Sequence, residues 1–240
     1  MLSYFHHKPS DTGPTLIYLL VGVEPDPERL VCVVAIYRDA IICIFECGKK
    51  TEWVLWEHAG GGGRNPNAWK ENMKELASFS TVEEFWQYFN HVPKPSEIFY
   101  DGDTQKRLGP NNKKVEEYSL FKKGIEPEWG DPANATGGEW FCRQFFEGEV
   151  LDLCWQNLVL GVVGESIEDA VDGGGGMRNY INGCRVVDKG KNFPMFRREL
   201  WISTKDAATK ENIRDRMMEI VTEGVPPSKK GPKFDWKDHS

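Results

Sequence analysis

The chain has 240 residues and a formal net charge of −7, a length that fills one core of mixed type. The acidic balance excludes a general polyanion binder, whose affinity would come from neutralising many phosphates. It leaves narrow recognition of one small nucleic-acid feature by a local basic pocket. Six cysteines occur without a CxxC pair, which argues against a zinc cluster and for reduced, packed thiols in an intracellular chain. Nine tryptophans exceed what such a core needs, so some are expected to stack or to form an interface.

The opening "MLSYFHHKPS" has neither the basic head nor the apolar run of a signal peptide. "LVCVVAIYRDAIICIF" (30–45) is apolar but broken by Arg38 and Asp39, far short of the roughly 20 residues of a membrane span. It reads as two strands and a turn, with no membrane contact. "EWVLWE" (52–57) suits a sheet strand, and "HAGGGGRNPNAW" is a loop that ends at Trp69. Val82, Phe85, Trp86 and Phe89 then fall on one helical face. Ser80 and Glu83 are spaced as a capping box, and two prolines stop the helix by Pro95. Residues 101–114 are a polar surface loop.

A strand near 116–122, a loop through Trp129 and a strand over 139–146 follow. Leu151, Trp155, Leu158 and Val162 mark a helix over 149–163. After "VDGGGGMRN" come strands near 181–187 and 197–203. Ile213, Met217, Ile220 and Val221 mark a third helix, and a last strand begins at Lys233. So few helices among so many strands do not make a doubly wound sheet. The pattern predicts an α+β fold, an antiparallel sheet with helices on one face.

No constellation for catalysis, cofactor or metal is present. The glycine runs lack a Walker ending and a dinucleotide spacing, "GES" (164–166) is not a nucleophile elbow, and the histidines show no ligand spacing. The tryptophans divide by context. Trp53, Trp56, Trp140, Trp155 and Trp201 sit in strands or on an apolar helix face and read as core. Trp69 and Trp129 stand in irregular, glycine- and proline-punctuated stretches. Two such indoles can clamp a flat ring. Each base stack contributes about 1–3 kcal/mol, and a cationic ring gains about 0.5–2 kcal/mol more for each face.

The ordered series "WVLWE" (53–57), "TVEEFWQYFNHV" (81–92), "YSLFKKGIEPEWGD" (118–131), "GGEW" (137–140), "LDLCWQNLVLGVVGE" (151–165), "LWIST" (200–204) and "KFDWKDHS" resembles the initiation factor 4E family. These are translation factors that bind the 7-methylguanosine cap of messenger RNA. The resemblance implies a curved antiparallel sheet backed by three long helices on its convex face, over a cap-binding domain at 46–240. It does not reach the apolar extension at 1–45. It implies that Trp69 and Trp129 sandwich the cationic guanine and that Trp201 contacts its methyl group. Arg185, Lys189 and Lys191 all fit the phosphate bridge, with an insertion before Arg197 blurring the register.

Two departures stand out. The family's glutamate after the second stacking tryptophan is Gly130 here, which leaves Asp131 or Glu128 to meet the guanine edge. Loss of such a charged partner costs about 2–3 kcal/mol. Glu139 replaces an arginine that assists the phosphates. Weak cap binding, or preference for a cap with extra methyls, is the implied consequence. On the convex side, Val82, Trp86 and Leu160 resemble the site that docks a Tyr-x-x-x-x-Leu-Φ helix from an initiation factor 4G-type scaffold or a 4E-binding repressor. A member acting mainly through that face, as repressor or adaptor, is the alternative reading. Recruitment of capped messenger RNA in the cytoplasm, by binding alone, is the principal one.

Overall fold

A computed structural model of the protein describes residues 51–60, 70–99, 113–168, 179–190, 194–227 and 232–239, together with the backbone of four earlier strands. Those are β1 (Ser3–His6), β2 (Ile17–Leu20), β3 (Val33–Tyr37) and β4 (Ala40–Phe45), paired in chain order as an antiparallel meander. The expected strand pair in 30–45 is β3 and β4, joined across Arg38 and Asp39.

The second sheet has seven strands: β5 (Trp53–Ala59), β6 (Met73–Phe79), β7 (Val115–Lys122), β8 (Gly138–Gln144), β9 (Ile181–Asp188), β10 (Phe196–Ile202) and β11 (Asp235–Asp238). Their order is β11-β8-β10-β9-β7-β5-β6, antiparallel throughout. Helices are α1 (Val82–Phe89), α2 (Pro95–Ile98), α3 (Pro132–Ala135), α4 (Gly148–Val163) and α5 (Ala207–Val221). The three expected helices are α1, α4 and α5, of 8, 16 and 15 residues.

Register separates the two faces, because side chains alternate along each strand and directly paired residues share a side. One row runs Trp236, Trp140, Leu200, Cys184, Leu120, Leu55 from β11 to β5. Five of these are buried in the core, with Leu151, Trp155, Leu158, Ile213 and Met217 from the helices, and Trp236 packs against it. This is the helix face. The indole N–H of Trp140 donates to the carbonyl of Lys210, 2.8 Å away, and so ties α5 to the sheet. Cys142, Cys154 and Cys184 are buried free thiols.

Two sequence expectations shift. The capping box of α1 is Thr81 with Glu84, one residue later than Ser80 with Glu83. The Thr81 hydroxyl accepts from the Glu84 amide at 3.2 Å, and the Glu84 carboxylate accepts from the amides of Thr81 (3.2 Å) and Ser80 (2.9 Å). The strand β6 has no counterpart among the expected strands. As an edge strand it pairs only with β5, and its residues 74–75 are exposed, so "MKELASF" lacks a continuous apolar side.

Candidate functional site on the open face

The opposite, open face carries mostly charged and aromatic side chains. One row reads Lys237, Glu139, Trp201, Gly183, Phe121, and the next Phe141, Glu199, Arg185, Ser119, Trp56. A third reads Arg143, Arg197, Val187, Glu117, His58. Alternation along "FRRELWI" accordingly turns Arg197, Glu199 and Trp201 to this face. Gly183 is required beside Trp201. A Cβ there would lie 2.4 Å from the Leu120 carbonyl oxygen and 2.5 Å from the Phe121 ring, which packs edge-on to Trp201 at 5.3 Å.

The loop bearing Trp129 is held from below. Asp131 caps α3 by accepting from the Ala133 amide (2.8 Å) and also accepts from the Glu126 amide (2.9 Å). The buried Asn134 amide donates to the carbonyls of Glu126 (2.8 Å) and Glu128 (2.9 Å). Asn182 on β9 in turn donates to the Ala133 carbonyl and the Asn134 side chain. With its loop so anchored, Trp129 projects with 48% of its surface exposed.

Glu139 lies at the centre of the site. It accepts a long hydrogen bond from the Trp129 indole (3.4 Å), meets His239 Nε2 at 3.2 Å, and pairs with Arg197. Burial raises its pKa, but the His239 hydrogen bond and the charges of Arg197 and Arg185 outweigh this and hold it below the ordinary carboxylate value. His239 is 1% exposed; its ring lies 4.3 Å from that of Trp201 and 6.2 Å from that of Trp129, and its Nδ1 is 3.1 Å from the Asn134 carbonyl. Lys237 places its ammonium 3.4 Å from the centre of the Trp129 ring, a cation–π contact.

Arg185 pairs with Glu199 (2.7 Å) and Glu117 (3.3 Å), and its guanidinium lies 4.8 Å from the Trp201 ring. Burial alone would lower its pKa, but the two carboxylates outweigh it and raise the value, keeping the group charged. Arg197 also meets Glu199, at 2.9 Å, as an ion pair without hydrogen-bond alignment.

Against the sequence expectations, Trp69 and Lys191 lie outside the described residues, as does the side chain of Val82. Trp129 stands out as expected for an exposed loop indole. Trp201 is on the same face but only 1% exposed, closed off by His239, Arg185 and Phe121. Asp131 is engaged as a cap, and Glu128 faces Lys70 at 3.4 Å. Lys189 is exposed; the burial it retains and, next, repulsion from Arg185 lower its pKa. Trp56, expected in the core, is part-exposed on the open face. Trp86 and Leu160 are 7% and 1% exposed and belong to the core, so Leu160 presents no surface to a partner.

Sequence reasoning missed Glu117, Glu199, Arg197 and His239. For Arg197 and Glu199 the signal was available in their alternation with Trp201, four and two residues before it. No group of side chains able to hold a metal occurs among the described residues, and none of their helices is long and apolar enough to cross a membrane.

The sequence pattern described as Eukaryotic initiation factor 4E matches residues 49–240. The chain belongs to that family. It is 30% identical over 172 residues to eukaryotic translation initiation factor 4E of Candida glabrata, across 71% of this chain and 70% of that one. The Saccharomyces cerevisiae factor is 31% identical over 172 residues, 71% and 68% of the two chains. Among solved structures, Ascaris suum eIF4E-3 in complex with m7G cap superposes with a TM-score of 0.58 at 26% identity, covering 80% of this chain and 90% of that one. Caenorhabditis elegans eIF4E-3 in complex with the 4E-binding protein Mextli gives 0.55 at 25%, covering 79% and 92%. This initiation factor 4E chain thus has the family's α+β arrangement, a curved antiparallel sheet backed by helices.

Proposed function

We propose that this protein binds the 7-methylguanosine cap of messenger RNA and brings the capped end to a scaffold of the initiation factor 4G type. The observation that carries the reading is Trp129, a half-exposed indole held at the edge of the open face by Glu139 and His239. Family membership supports it, as does likeness to a structure solved with m7G cap. Trp69 supplies the second ring of the sandwich. The methylated base carries a positive charge, and two indole faces together favour it over neutral guanine by about 1–4 kcal/mol, twice the single-face contribution.

Asp131 is held as the cap of α3, which leaves Glu128, in a surface ion pair with Lys70 at 3.4 Å, as the carboxylate that can turn to the guanine edge. The action is binding without catalysis, in the cytoplasm, by the domain from residue 46 onward. A partner helix docks on the helix side near Val82 and Trp86; the Mextli-bound relative supports a 4E-binding protein as one such partner.

Titration with 7-methyl-GTP and with GTP, followed by tryptophan fluorescence, tests the reading. Stronger quenching by the methylated nucleotide, lost in Trp129→Ala, is the expected result. Equal and negligible quenching by both nucleotides would overturn it.

A further inference from the structure

The helix α4 is buried on more sides than the main sheet and the flanking helices explain. Leu151, Trp155, Leu158 and Val162 form the stripe that meets the sheet. Asp152 turns to one flank, where it accepts from the amide (2.9 Å) and the hydroxyl (2.6 Å) of Ser96 on α2. Asn157 turns to the other and donates to the carbonyl of Glu223, just beyond α5, at 2.9 Å. Gly161 faces that same flank, since a Cβ there would lie 3.0 Å from Ile220. At ~100° per residue, Gln156 and Leu160 fall between the two flanks, with Leu160 about 180° around from Leu151. On a helix packed by one face, that position is ordinarily wet. Leu160 is instead 1% exposed, and the side-chain nitrogen of Gln156 is buried without a hydrogen-bond partner.

An element of suitable chemistry lies beside this helix. The strand β4 of the N-terminal meander passes within 8 Å of α4, backbone to backbone. β3 and β4 read "VVAIY" and "AIICIF", without a charged residue. Strands apolar at consecutive positions need burial on both faces. The meander needs a surface to lie on, and the outward side of α4 needs a cover. All four strands of the meander precede the family match, which begins at residue 49.

We propose that β3 and β4 form an intramolecular lid on the outward side of α4, over the surface where a partner helix docks. The lid is read from the burial of Leu160, and its regulatory role rests on the docking reading given above. The unpaired Gln156 amide marks an imperfect seat, which a partner helix offering an acceptor displaces. Access of a partner is thus set by this chain's own N-terminal strands.

The test uses the full chain. Adjacent strand residues turn to opposite sides, so I41D/I42D charges whichever side of β4 meets the helix. In an L160C background, maleimide labelling at position 160 is read by mass spectrometry against Cys154, which is buried on the sheet side of the same helix. Labelling at 160 is expected to be slow, and about tenfold faster once I41D/I42D is added, as when a lid closed nine-tenths of the time is removed. Cys154 is expected to stay protected in both chains. Equal rates at 160 overturn the lid. An acceleration shared by Cys154 overturns it too, because the meander would then belong to the core and not cover it. A rate that rises on dilution assigns the cover to a second copy and overturns the intramolecular lid. A synthetic peptide carrying Tyr-x-x-x-x-Leu-Φ is then titrated into wild type and I41D/I42D, and the variant is expected to bind about tenfold more tightly. Equal affinity overturns the regulatory role. Binding to neither protein overturns the docking reading, which the labelling rates tell apart from failure of the lid.

Discussion

Across six strands of the main sheet, Trp236, Trp140, Leu200, Cys184, Leu120 and Leu55 make one apolar row, while one residue along, Lys237, Glu139 and Trp201 begin a row of another kind. The helix face is stabilised by area removed from water, which tolerates exchange among side chains of similar size. The open face is stabilised by particular pairings, in which Arg185 and Arg197 each face two carboxylates and Glu139 serves Trp129, His239 and Arg197. The core packing thereby lies on one side of a single sheet, and the proposed cap recognition on the other. A substitution should disturb one while largely sparing the other.

The sharpest way to break that separation is Leu200→Ala on the fully buried helix face. It should cost about 2–5 kcal/mol of stability in urea unfolding, yet leave the preference for 7-methyl-GTP over GTP intact in the folded fraction. Trp129→Ala is the mirror experiment. With half of the ring already in water, stability should change little, while cap affinity falls by about 1–3 kcal/mol, the contribution of one base stack. Comparable stability losses in both variants would show that the faces are not separable.

Thr81→Ala probes neither face directly. Loss of the cap on α1 should cost about 1 kcal/mol, seen as a lower urea midpoint with unchanged cap binding. The smallest effect concerns pH. Because the folded-state pKa of Glu139 is held below its ordinary value of 4.5, its contribution is complete above that value. It is lost as pH falls through the folded-state pKa. Stability measured from pH 6 downward should therefore decline less steeply in E139Q than in wild type. Parallel curves would mean that the His239 and Arg197 contacts do not favour the ionised form.

The helix face was the legible side. Three-and-four spacing exposed α1, α4 and α5, and apolar strands bounded by turns gave most of the sheet. The open face was half legible, since Trp129 announced itself as a large ring in a loop. Its supporting network was not, because Glu117, Glu139, Glu199, Arg185, Arg197 and His239 come from five separate places in the chain, the strands β7 to β10 and the end beyond β11. Only strand register brings them together, and one sequence does not display register. Trp201 illustrates the gap: its strand position read as core and only the family resemblance put it at a pocket edge, and the structure buries it on the open-face side under His239.

The unequal exposure of the indoles has a spectroscopic consequence. Nine tryptophans contribute to the emission, but among the described residues only the indole of Trp129 is about half exposed, the others being buried or less exposed. Iodide, which reaches accessible fluorophores alone, should therefore extinguish a minor, red-shifted component and leave a blue-shifted majority. A ligand seated on that loop would protect the minor component from the ion, giving an optical measure of occupancy that is independent of any change in total intensity.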